Sequence, residues 1–110
     1  MSNENGPAGI SPNYRTNAFG FLPGKEAFDD PLSDLNVGLL DQQQASQWVE
    51  KYIHLFGGDP NNVTTWGAGA GGGSVVAHAI ANDGHTDPPL FNNGIMDSPY
   101  WPKAYAYNGV

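Results

Sequence analysis

The run Val63-Thr64-Thr65-Trp66-Gly67-Ala68-Gly69-Ala70-Gly71-Gly72-Gly73-Ser74 holds the residues whose spacing suits chemistry. A short β-branched and aromatic stretch drops into five glycines, and Ser74 to Ala81 then resumes with helical character. That order predicts a strand, a very tight turn and a helix whose backbone comes close to something. Two chemistries use the arrangement. In a nucleophile elbow, G-x-S-x-G, a serine at the tip of the turn attacks, and the next amide helps hold the tetrahedral oxyanion. In a dinucleotide loop, G-x-G-x-x-G, a helix N-terminus receives a pyrophosphate.

In the elbow reading Gly67 and Gly71 flank the turn, with Gly72 extending the glycine run; Ala68 and Ala70 are small spacers, and Gly69 is the tip. Gly69 has no side chain and cannot attack a carbonyl. Ala70 still offers its amide to an oxyanion. Ser74 lies five residues beyond the tip, about 7.5 Å further along the helix axis and rotated away from it, so a helix-terminal or packing role is expected. In the nucleotide reading Gly67, Gly69 and Gly72 spell the motif, and Asp87 would be the ribose-binding acid. Asp87 falls in a proline loop instead of at a strand end, which counts against it.

The elements that position this run come from periodicity. Ala45, Trp48, Val49, Tyr52, Ile53 and Phe56 recur at helical spacing, predicting a helix over 41–56 with its apolar stripe in the core. Asp41 is its expected N-cap, with Gln44 as capping-box partner. Gly57-Gly58 ends it and Asp59-Pro60-Asn61-Asn62 turns the chain. Residues 63–66 read as a strand buried on both faces, 72–81 as a helix closed by Asn82-Asp83-Gly84, and Gly94-Ile95-Met96-Asp97 as a third apolar piece. Residues 10–22 read as a strand end and irregular loop, and 23–33 as a surface excursion. The alternation is that of an α/β chain with a parallel sheet and crossover helices.

Composition narrows the partners. The 110 residues allow one small domain, with net charge -7 and only four lysines and arginines. Such a chain carries no basic patch for nucleic acid. Without cysteine it has neither disulfide nor thiolate metal site. His78 and His85 with Asp83 and Asp87 lack the spacing of a zinc helix, so no metal and no cofactor are expected. Asp29, Asp30 and Asp34 read as a solvated acidic loop, and Asn62-Val63-Thr64 is a formal glycosylation acceptor whose asparagine ends a turn. No apolar run is long enough to span a bilayer. The polar N-terminus has no signal-peptide pattern, which leaves compartment and oligomeric state open.

Four stretches carry a resemblance. They are Asn13-Tyr14-Arg15 with Gly20-Phe21-Leu22; Asn36-Val37-Gly38-Leu39-Leu40-Asp41-Gln42 with Trp48-Val49; Phe56-Gly57-Gly58-Asp59-Pro60-Asn61-Asn62-Val63-Thr64 leading into the elbow; and, more weakly, Leu90-Phe91 through Ser98. In this order they resemble type-B carboxylesterases, the cholinesterase and fungal lipase group of the α/β-hydrolase fold. The resemblance implies a partial α/β-hydrolase over 11–110 behind a flexible tail at 1–10, central parallel strands around an elbow, and intact relatives, often secreted, that hydrolyse carboxylic esters. It also implies a Gly-Glu-Ser-Ala-Gly-Gly elbow, where this chain has Ala68 for the glutamate and Gly69 for the serine. His54, His78 and His85 match no triad position of the family. The expectation is an ester-hydrolase segment that is inactive by itself. A non-catalytic interaction protein of the cholinesterase-like fold is the alternative, with a dinucleotide module behind it.

Overall fold

The computed structural model describes residues 7–21, 29 and 36–101. Expectations for 1–6, for 22–28 and for Asp30 to Leu35 lie outside the described residues. Residues 10–16 are extended coil leading into a single helical turn, α1 (Asn17–Gly20), so the strand expected there is not formed. Helix α2 (Val37–Tyr52) follows, continued by a 3-10 turn over Ile53–Phe56. Then come β1 (Thr64–Ala68), α3 (Ala70–Ile80), a second 3-10 turn (Ala81–Gly84) and β2 (Asn93–Asp97).

Asp41 does not cap α2. The helix starts four residues earlier, entered from Asn36 in the left-handed region at φ 57°, ψ 38°. Asp41 sits in its second turn and meets Arg15 instead. The Arg15 backbone amide and Nε donate to Oδ2 at 3.0 and 2.8 Å, and Nη2 donates to Oδ1 at 2.8 Å. Two charge-assisted bonds plus an amide satisfy a carboxylate better than one end-of-helix donor does. They also tie the N-terminal segment to α2.

The Arg15 guanidinium, then its amide, pull the Asp41 carboxyl down to about 2. A depressed carboxyl binds fewer protons folded than unfolded, so the tether is complete above the ordinary carboxylate value and is lost as pH falls through about 2. A carboxyl titration by NMR should place the Asp41 midpoint near 2. Asp41→Asn should release the N-terminal segment at neutral pH.

The aromatic stripe of α2 is a surface cluster more than a core. Trp48 stacks at a tilt on Tyr52 and Phe56, with centroids 5.5 and 5.9 Å apart, and Lys51 lies over the Tyr52 ring. Trp48 and Phe56 remain exposed, and only Ile53 of the stripe is buried. Few of the described residues lie over this face, so the rings cover one another. Beyond the stripe, Gly57 takes φ 81°, and the Gly57 and Gly58 amides donate back to His54 and Ile53 carbonyls, closing the helix as expected. The Asp59 side chain accepts from the Asn61 amide at 2.9 Å and makes the turn into β1.

β1 and β2 pair in parallel, Thr64 opposite Asn93 through Ala68 opposite Asp97, with α3 as the crossover between them. This is the strand–helix–strand unit of an α/β fold. Residue alternation puts Thr65, Gly67, Gly94 and Met96 toward α3. Trp66 and its register partner Ile95 face the other way, and Trp66 is 74% exposed. The strand is therefore covered on one face, not both. Val75, Ile53 and Leu90 are the buried apolar side chains among the described residues.

Candidate active site: a strand-to-helix corner with a glycine tip

One residue separates the end of β1 at Ala68 from the start of α3 at Ala70. That residue is Gly69, at φ 57°, ψ -119°. An L side chain rarely adopts this backbone, so glycine holds it at the lowest conformational cost. Both Gly69 peptide groups are committed. Its amide donates to the Asp97 carbonyl at 3.0 Å, and its carbonyl accepts from Tyr100 at 2.9 Å and from Gly73 at 3.1 Å. The turn is thus stitched to the end of β2 on one side and to the first turn of the helix on the other.

The neighbouring glycines differ in what they permit. A Cβ on Gly67 would fall on the Gly71 backbone, and one on Gly73 on the Tyr100 carbonyl. At Gly72 it would sit 3.1 Å from the Gly67 carbonyl oxygen and from Pro99 Cα. Strand, helix and the 97–100 segment therefore touch backbone to backbone at this corner. Gly71 is different: its own Cβ would enter open space, so its flanking role is to present backbone to Gly67. Around Gly69 nothing lies within 4 Å of the Cβ position. The tip projects into free volume.

Chemically the corner offers donors without a nucleophile. The Ala70 amide opens α3 and has no acceptor within the helix, so it points its dipole toward the mouth of the turn. Ser74 is turned into the helix: its hydroxyl donates to the Ala70 carbonyl at 3.2 Å and accepts from Gln42 Nε2 at 3.2 Å. His78 Nε2 meets Gln42 Oε1 at 2.8 Å, and burial lowers its imidazole below the ordinary value. His54 and His85 are exposed. Among the described residues no histidine hydrogen-bonds to the corner, and no cluster of histidines and carboxylates suits a metal. Asp87 lies exposed in the loop before β2, away from any strand end.

Sequence reasoning missed four partners of the corner: Gln42 from α2, Gly73, and the backbone of Asp97 and of Tyr100. Gly73 had a signal, being the third glycine in succession. The others depend on which elements pack together, which no local spacing records.

A one-residue strand-to-helix corner at the carboxyl end of a parallel pair is the geometry of the α/β-hydrolase class. Residues 10–108 match the carboxylesterase family, and the chain belongs to it. It is 44% identical over 90 residues to a secreted lipase of Arthroderma benhamiae, covering 82% of this chain and 17% of the lipase. It is 43% identical over 103 residues to carboxylesterase patB of Aspergillus clavatus, covering 91% of this chain and 18% of that enzyme. Against the crystal structure of Aspergillus niger EstA, it superposes with TM-score 0.71 at 44% identity, covering 82% of this chain and 17% of that one. The fold is therefore that of the α/β-hydrolase esterases. The chain spans less than a fifth of the length of these relatives.

Proposed function

We propose that this chain is the elbow-bearing segment of a type-B carboxylesterase-like ester hydrolase and is catalytically silent at that elbow. The observation that carries the reading is Gly69, alone between β1 and α3, with the backbone of an elbow tip and empty space where a nucleophile's side chain would stand. Relatives named lipase, carboxylesterase and acetylcholinesterase support a carboxylic ester as the substrate class of the intact scaffold. Ala70 is the oxyanion donor in this reading. Gly67, Gly71 and Gly72 let strand and helix meet. With no hydroxyl at the tip, no acyl-enzyme forms there.

The test is hydrolysis of p-nitrophenyl acetate and butyrate by the purified chain. Turnover should stay at the buffer background. Gly69→Ser should also stay there, because His78 Nε2 is spent on Gln42 while His54 and His85 stand in solvent. The same variant should lose about 1–2 kcal/mol of stability to backbone strain at positive φ, without a clash. Ester hydrolysis that copurifies with the chain and disappears in Ser74→Ala would refute the proposal. So would turnover gained by Gly69→Ser alone.

A further inference from the structure

We propose that Gln42 is a positioning residue for the corner: its side-chain amide carries a hydrogen-bond relay of fixed polarity from His78 through Ser74 to the Ala70 carbonyl. The polarity follows from the one link whose direction has no alternative. The Ala70 carbonyl has no proton to give, so at 3.2 Å the Ser74 hydroxyl must be its donor. That spends the only Ser74 proton, and the hydroxyl can then only accept, which it does from Gln42 Nε2 at 3.2 Å. The other end of the same amide is a carbonyl oxygen, 2.8 Å from His78 Nε2. Two acceptors do not bond, so His78 Nε2 carries a proton. Neutral His78 is thereby the Nε2–H tautomer with a bare Nδ1.

The relay ties α2 to α3 at the helix turn that follows the tip. It ends on the carbonyl of Ala70, whose amide faces the mouth of the corner. Gln42 itself is anchored in α2, where its backbone carbonyl accepts from the Ser46 hydroxyl at 3.0 Å. The inference rests on corner geometry alone and stands whether or not the chain hydrolyses esters.

Rotating the Gln42 amide by half a turn is the competing arrangement. Ser74 would then donate to Gln42 and leave Ala70, and Gln42 would donate to a bare His78 Nε2. NMR of the full 15N-labelled chain, well above the ordinary imidazole value of about 6.5, separates the two. The relay predicts His78 locked with Nε2 protonated. It also predicts Gln42 side-chain protons exchanging about tenfold more slowly than those of exposed Gln44 and Gln47. Ser74→Ala should abolish that slowing. Gln42→Leu should shift the Gly69, Ala70 and Gly71 amides, whereas Gln47→Ala, at an exposed position of the same helix, should leave them in place. A proton on Nδ1, averaged tautomers, slowing that survives Ser74→Ala, or an unmoved Ala70 amide in Gln42→Leu would each overturn the relay.

Discussion

Gly67→Ala should cost about 3 kcal/mol or more, the upper range for forcing atoms into a packed site. The added methyl lands on the carbonyl carbon and oxygen of Gly71 and near the Gly72 nitrogen. These are backbone atoms, which cannot rotate aside as the end of a side chain would. To make room, α3 must lift from β1, and the Gly69–Asp97 and Gly69–Tyr100 bonds would break with it. Gly71→Ala is the matched control. Its methyl meets open space inside a helix, where alanine is favoured over glycine by about 0.5–1 kcal/mol. Urea midpoints should therefore move in opposite directions for two glycines four residues apart.

Val75→Ala should lose about 2 kcal/mol, a large share of the stability of a small domain. At 2% exposure Val75 is the most buried apolar residue described, and its Cγ1 lies 3.0 Å from the Cβ position of Gly94 on β2. The Val75 side chain thus fills the space that the missing Gly94 side chain leaves between α3 and β2. Among the described residues only Ile53 and Leu90 are buried besides Val75, so few core side chains are there to refill the cavity. Trp66→Ala, removing a far larger but exposed ring, should change the midpoint by about 0.5 kcal/mol or less. Denaturation of the two variants, followed by far-UV circular dichroism so that the missing tryptophan does not matter, gives the comparison.

Local signals in the sequence located the corner. The glycine run after a β-branched stretch marks where strand becomes helix, and Gly57-Gly58 with Asp59 marks the turn before it, because those backbones need specific residues. The helix start was misplaced for the opposite reason. Asp41 has the chemistry of a cap, but Arg15, 26 residues earlier in the chain, claims its carboxylate. The Trp48 stripe has the period of a core face, yet period says which residues share a face and not what covers it. Residues 63–66 read as a strand buried on both faces from a short β-branched and aromatic run between turns, which likewise does not record what covers it. The Gln42 relay was invisible because it joins residues 32 and 36 positions apart.

A thiol at the tip tests the central claim most directly, since the chain contains no cysteine of its own. In Gly69→Cys the new sulfur should stand in open volume beside the unpaired amides that start α3. The account predicts that folded protein reacts stoichiometrically with a disulfide reagent. It further predicts a thiol titrating below the ordinary value of about 8.5, because a helix N-terminus favours the thiolate. A folded variant whose thiol is shielded from the reagent, or titrates at or above that value, would contradict a tip placed at the mouth of a strand-to-helix corner.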